Sequence, residues 1–393
     1  MSADLVCGGM MGIVALGWWA TWAASRKQAA STPFKLGPGS WLGEVPTETS
    51  AWVVVPARNE AAVIERCIEA IIAQGDALDG VVVVDDDSSD GTGAILDALS
   101  RRCVRVDIVR SAPDEALPDG WLGKPWACQR GAERAVELGA THLLFVDADV
   151  TLAPGALGSA LGYLHTHELG LLSVMGSLEL RSFWERAVQP AVVGLILAGN
   201  DLAKVNDPER RPPRPLANGQ FLLFTVASWR HIDGHYAVKQ AIIDDVGLAS
   251  AHCAKGGLYH LVFGPRLFSC RMYAGFQAIW RGWSKNLFAG MGASWALVGG
   301  LVLFVVLAVE APWLALITSA IGWTVTPWMA AVAVIGMLAT RVHLDRRFGQ
   351  DARYALTLPL GWAVLAAIAV NSGIWYHRGG GRWKGRALPT SSD

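Results

Sequence analysis

Residues 80–92 read GVVVVDDDSSDGT, four valines running straight into three aspartates and a Ser/Asp/Gly turn. A short unbroken apolar run bounded by turn residues is a strand buried on both faces, the kind found inside parallel sheets. The pattern repeats outward from it. Upstream, AWVVVPARNE (51–60) is another apolar run ending in a polar loop, and AAVIERCIEAIIAQG (61–75) repeats apolar residues at helical spacing. Downstream come helical GAILDALSRR (93–102), strand-like VRVDIVR (104–110), helical PWACQRGAERAVELGA (125–140) and strand-like THLLFVDADV (141–150). Strands alternating with helices predict an α/β domain with a mostly parallel central sheet and helices on both faces. Ligands bind beyond the carboxyl ends of such strands, and that is where this sequence places its acids.

In VDAD, Asp147 and Asp149 are separated by one residue at a strand end. Two such carboxylates can offer oxygens to one hard ion, Mg²⁺ or Mn²⁺, which keeps positions open for phosphate oxygens. An Asp-rich turn is the plain alternative. Asp85, Asp86 and Asp87 repel one another, so a purely structural role needs a partner. An acid there can accept hydrogen bonds from a ribose or a base, whereas Ser88, Ser89 and Asp90 are suited to capping the next helix. No GxGxxG precedes them, which disfavours a dinucleotide fold. Asp244 and Asp245 open a helical pattern, where the helix dipole favours the anion and keeps a base ionised. An N-cap is the alternative there. Lys124, in GWLGKP (120–125), can pair with a diphosphate or stand solvated. FQAIWRGWSKN (276–286) reads as an aromatic and basic belt before an apolar region.

The 393-residue chain is 52% hydrophobic and 17% charged, against roughly 25% charge in an ordinary soluble protein. That balance and 18 tryptophans point to a membrane. A formal net charge of −1 gives no sign of nucleic acid as a partner. The six cysteines form no CxxC pair, which disfavours a zinc site or a disulfide framework. Leu5–Ala24 is long enough to span a bilayer, with Asp4 before it and Arg26 and Lys27 after it. The positive-inside rule then puts the N-terminus outside and the body in the cytosol. Leu287–Val309 and Trp313–Thr340 read as two spans broken at Glu310-Ala311-Pro312, and Tyr354–Trp375 as a third that spans or, broken at Pro359, re-enters. Phe183–Ala198 reads as a buried or an interfacial helix. The expected organisation is an anchor (1–27), a cytosolic domain (50–286), membrane helices (287–376) and a basic tail (377–393).

The order PARNE, VVVVDDDSSDGT, GK, VDAD, IIDD and then an aromatic-basic segment resembles the family 2 glycosyltransferases of the GT-A fold. ANGQFLLF (217–224), DGHYAVKQAIIDD (233–245) and RMYAGFQAIWRGWSKNLFAG (271–290) are similar to its membrane enzymes that glycosylate lipids, carotenoid glucosyltransferases and ceramide-glucosyltransferase-like proteins among them. The resemblance implies an integral protein of a bacterial inner membrane that moves a sugar, with inversion, from a nucleotide diphosphate donor, UDP-hexose by expectation, to a lipid hydroxyl. It implies Pro56, Arg58, Asn59, Glu60, Asp85 and Asp86 around the nucleotide, and Lys124 near the donor. Asp149, assisted by Asp147, would hold the metal. Asp245 would be the catalytic base beside Asp244, and Arg281 and Trp283 would contact diphosphate or acceptor. Two departures stand out: Asp244-Asp245 replaces the usual Glu-Asp, and Gln277, Trp280, Arg281 and Trp283 do not keep the QxxRW order. A polysaccharide synthase, a polyprenyl-phosphate glycosyltransferase and a non-catalytic nucleotide-binding scaffold are the competing readings.

Overall fold

The computed structural model describes residues 3–31, 35–39, 45–113, 115–320, 327–378, 382–383 and 386–387. Most of the expected basic tail therefore lies outside the described residues, as does 321–326. The strands are β1 (Ala51–Ala57), β2 (Gly80–Asp85), β3 (Val106–Arg110), β4 (His142–Phe145), β5 (Val150–Leu152), β6 (Leu171–Met175), β7 (Ser177–Leu178), β8 (Leu222–Thr225), β9 (Tyr259–Phe263) and β10 (Phe268–Cys270). The helices are α1 (Ala3–Ser31), α2 (Ile64–Ile72), α3 (Thr92–Arg102), α4 (Gly123–Glu137), α5 (Ala156–Thr166), α6 (Phe183–Ala198), α7 (Leu202–Val205), α8 (Val226–His231), α9 (Asp244–Ala254), α10 (Gly275–Gly290), α11 (Trp295–Phe304), α12 (Ala311–Ala320), α13 (Pro327–Arg347) and α14 (Leu358–Arg378).

The central sheet runs β3-β2-β1-β4-β8-β6-β9. Strands β1 to β4 are mutually parallel where they pair, β8 is antiparallel to both neighbours, and β6 pairs with β9 in parallel. A small sheet, β5-β10-β7, stands beside it. The valine runs fill both faces in alternation: Val53, Val55, Val81 and Val83 face α2, α3 and α5, while Val54, Val82 and Val84 face α4, α8 and α9. Gly131 lets α4 lie directly on the sheet, since a Cβ there would come within 2.6 Å of Val54. That close seat brings the start of α4 over the carboxyl ends of β1 and β4.

Pro56 has no N–H to give a ladder. It lies beyond the last β4 residue paired with β1, because the register ends at Val54 opposite Phe145. The two strands part there, and the gap becomes the cleft.

Among the described residues, three helices after the α/β domain are long and apolar enough to cross a membrane: Trp295–Ser319, Pro327–Arg347 and Ala352–Arg378. The expected break at Glu310-Ala311-Pro312 is corrected. The chain passes through it as a six-residue π-helical turn, Val305–Glu310, continuous with α11 and α12. Pro312 cannot donate to the carbonyl four residues back, and that carbonyl, Ala308, instead accepts from the indole of Trp18 on α1 at 2.8 Å. Nor does Pro359 break the last run. It is the second residue of α14, just after a 3-10 turn, Ala352–Thr357, and the carbonyl four residues back, Ala355, accepts from the Leu358 amide instead. Leu287–Gly290, read as the start of a span, finishes α10 instead.

Helix α6 runs through Pro190 and buries Ala187, Val188, Ala191 and Val192 against α10 and α14. Its start is held by a capping box: Ser182 accepts from the Glu185 amide, and the Glu185 carboxylate accepts from the Ser182 hydroxyl. The same carboxylate, fully buried, takes the Arg271 guanidinium at 3.0 Å and the Gly275 amide at 2.9 Å. Burial pushes its pKa up, but Arg271 and the surrounding donors outweigh burial and hold it at about 2. Glu185 thus ties α6 to the start of α10. Glu185→Ala is expected to cost about 3–5 kcal/mol, because Arg271 then loses its buried partner. Thermal unfolding in detergent reads this, and replacing Glu185 and Arg271 together by leucine should cost less than the single change.

Candidate active site

Three loops meet at the carboxyl edge of the sheet. Two of them interlock. Arg58 donates to the Asp86 carbonyl and lies 3.7 Å from the Asp86 carboxylate and 3.6 Å from that of Asp87. The Asn59 amide donates to Ser88 Oγ, and Asn59 Oδ1 accepts from the Ser89 amide at 2.8 Å. The Glu60 amide donates to Thr92 Oγ1 at 2.8 Å. Asp85 and Asp86 are buried, Asp85 accepting from the Ser88 amide and Asp86 from the Ser111 hydroxyl. The helix-capping expectation falls to Asp90 alone: it accepts from the Thr92 amide and hydroxyl, and Gly91 is the N-cap. Ser88 and Ser89 serve the neighbouring loop.

The third loop carries Asp147 and Asp149. Lys124, the second residue of α4, puts its ammonium 2.8 Å from Asp147 and 3.8 Å from Asp244. Burial lowers the Lys124 pKa, but Asp147 and Asp244 outweigh it and keep the ammonium charged. One lysine therefore joins the strand-end acids to the acids of α9. Asp149 is pushed up to about 7, first by burial and then by Asp147. Its Oδ1 is buried and has no hydrogen-bond partner among the described residues, while the Cys270 thiol partly offsets the rise. No group of three His, Cys, Asp or Glu side chains able to hold a metal occurs among the described residues. A cation here would be held by Asp149 and Asp147 and would take its remaining oxygens from a ligand.

Asp245 follows the first residue of α9. Its Oδ2 accepts from the Gly219 amide at 2.7 Å and its Oδ1 from the Val246 amide at 2.8 Å. Burial raises its pKa and Asp244 adds to the rise, with Lys124 partly offsetting, so it sits at about 6. Gly219 leaves room for this seat: a Cβ there would lie 3.3 Å from Asp245, a tight contact. Ile243, not an aspartate, is the N-cap of α9.

The cleft has two adjoining parts. One is lined by Pro56, Asp147, Gly219 and His235 around Lys124 and Asp244; the other lies between the start of α4, Ala241-Ile242 and Lys285. Arg281 is exposed on α10, one turn before Lys285. Trp283 faces the other way, its indole donating to Gln189 of α6 at 2.7 Å. The aromatic residue that meets the acids is Tyr273. Burial and then Asp149 and Asp147 raise the pKa of its phenol, and its ring lies edge-on to Trp283. Sequence reasoning missed Tyr273, Cys270 and Lys285. The first two carry no spacing signal; Lys285 stood inside the quoted aromatic-basic segment and is set four residues past Arg281, one helical turn on.

The fold is of the GT-A type, shared with solved glycosyltransferases. A mannosyltransferase of Pyrobaculum calidifontis, solved with GDP-mannose and Mn²⁺, superposes with a TM-score of 0.51 at 17% identity, over 94% of this chain and 98% of its own. Residues 52–189 match the Glycosyl transferase family 2 model. The 4,4'-diaponeurosporenoate glycosyltransferases of Staphylococcus aureus strains MRSA252 and USA300 are each 28% identical, over 87% of this chain and 88% of theirs.

Proposed function

We propose that this chain moves a sugar, with inversion at the anomeric carbon, from a nucleotide diphosphate donor to a lipid acceptor at a membrane surface. The carrying observation is the joining of Asp147, from the Asp147-Ala148-Asp149 loop, to Asp244, from the Asp244-Asp245 start of α9, through Lys124 at a sheet edge followed by apolar helices. Pro56, Arg58, Asn59, Glu60, Asp85 and Asp86 build the donor's nucleotide side, and Lys124 and Arg281 serve its diphosphate. Trp283 acts through Tyr273 by packing. Asp149 and Asp147 would hold Mg²⁺ or Mn²⁺, and the partnerless Asp149 oxygen fits that role. When bound, the ion offsets charge on the diphosphate.

In the transfer, Asp245 takes the proton of the acceptor hydroxyl while that oxygen bonds to the anomeric carbon. The bond from that carbon to the phosphate oxygen breaks, and its electron pair leaves on the diphosphate. The names of the staphylococcal relatives support a carotenoid-like acceptor. The protein would be integral, anchored by 1–27, with domain 50–286 in the cytosol and helices across 287–376.

Binding of UDP and GDP to the detergent-purified protein, each with and without Mn²⁺, tests the reading. Metal-dependent tightening with one of them is expected; no binding of either under any condition would sink it. The pH profile follows from Asp245. A base with a pKa of about 6 is ionised above that pH, so turnover should be level near pH 7–8 and fall about tenfold per unit well below about pH 6. A flat profile to about pH 5 would remove Asp245 from the chemistry.

A further inference from the structure

The second part of the cleft is formed by Leu122, Gly123, Lys124 and Pro125 at the start of α4, by Ala241, Ile242 and Asp244, and by Lys285 from α10. We propose that Lys285 is a catalytic residue of the transfer, a cation that acts with Lys124 on the departing diphosphate. This rests on the transferase reading above and adds a residue to it.

Charge is the first argument. Asp147 and Asp244 line this cleft, with Asp149 and Asp245 beside them in the chain, and the ammonium of Lys124 is already engaged by Asp147 and Asp244. A nucleoside diphosphate brings further negative charge, and its leaving oxygen gains more as the bond to the sugar breaks. A fixed cation is worth most where charge develops in a site sheltered from water. Lys124 and Lys285 are the two ammoniums among the residues lining the cleft.

The build of α10 is the second. Gln277, Arg281 and Lys285 recur every four residues and so share one stripe of the helix. Ile279 and Leu287, on the other side, are buried with Ala187 and Val188 of α6 and Leu365 and Ile368 of α14. Helix α10 is thereby fixed by its apolar face, and its basic stripe ends at the cleft. The start of α4 adds to the field: Leu122 gives no side-chain cap, and the Gly123 and Lys124 amides at the head of this 15-residue helix have no intrahelical acceptor. During departure the electron pair stays on the diphosphate oxygen, and Lys285 gives up no proton.

The test uses the full-length protein in detergent with Mn²⁺. Lys285→Ala and Lys285→Gln are compared with the parent for binding of the preferred nucleoside diphosphate and of its monophosphate, and for turnover. Both variants are expected to bind the diphosphate about tenfold more weakly and to lose about 10²-fold in turnover, with the monophosphate affected less than about twofold and Lys285→Arg restoring most of both. Added salt should weaken diphosphate binding more in the parent than in Lys285→Ala. Unchanged diphosphate binding and turnover would overturn the proposal. So would unchanged diphosphate binding with a raised KM for the lipid, which would assign the cation to an anionic acceptor. If the parent protein binds neither diphosphate, the transferase reading itself falls, and this one with it; if the parent binds and both variants bind equally, only this one falls.

Discussion

Asp149→Ala is expected to reduce sugar transfer by about 10²–10³-fold and to abolish the tightening of nucleotide binding by Mn²⁺. The carboxylate that would hold the ion has one buried oxygen with no hydrogen-bond partner among the described residues. Such an oxygen costs stability unless something answers it. The same change should not harm the fold. A carboxyl whose pKa is raised to about 7 in the folded protein holds its proton more tightly there than in the unfolded chain. Its contribution to stability is therefore largest in acid and is lost as pH climbs from about 4 to about 7. At about pH 8 and without metal, Asp149→Ala should unfold at the same temperature as the parent or higher. Losing both activity and stability would mark Asp149 as a structural residue. Keeping activity with undiminished metal dependence would take it out of the metal site.

Asp245→Asn carries the second large effect, a loss of about 10²–10⁴-fold with a hydroxyl-bearing acceptor. Donor affinity should stay within about twofold, since the proposed diphosphate contacts are made by other residues. The amide can still accept from Gly219 or Val246 and keep the side chain in its seat. An acceptor that offers a carboxylate is already without its proton and gains nothing from a base. A large loss with a hydroxyl acceptor and a small one with a carboxylate acceptor is thus the signature of proton removal. Equal losses with both would make Asp245 a positioning residue instead.

Much of the acid-lined edge of the sheet is legible in the sequence. VVVVD, FVDAD and AWVVVPARN each read as buried strands ending in polar loops, and parallel pairing sends those ends to one side of the sheet. Asp147, Asp149, Asp244 and Asp245 follow from that rule together with the helical start of α9. The loops were harder. Asp85 and Asp86 are buried and already paired within the protein, because the Arg58-Asn59 turn folds over them from 28 residues or so upstream in the chain. Trp283 was read as a ligand contact, yet its indole is spent on Gln189 of α6.

The apolar region after the α/β domain divides in the same way. Apolar length showed that helices follow residue 286, and it could not show where one ends. Glu310-Ala311-Pro312 has the local chemistry of a helix break. The helix continues because an indole from α1, 290 residues away, occupies the carbonyl that Pro312 leaves open. Local periodicity fixes which segments are strands and helices and which edge gathers the acids, because these depend on neighbours a few residues apart. The seating of Asp245 against Gly219, the Lys124 bridge, the approach of Tyr273 and Lys285 and the unbroken helix through Pro312 depend on groups brought together across the whole chain. Only the packing of the tertiary structure decides those.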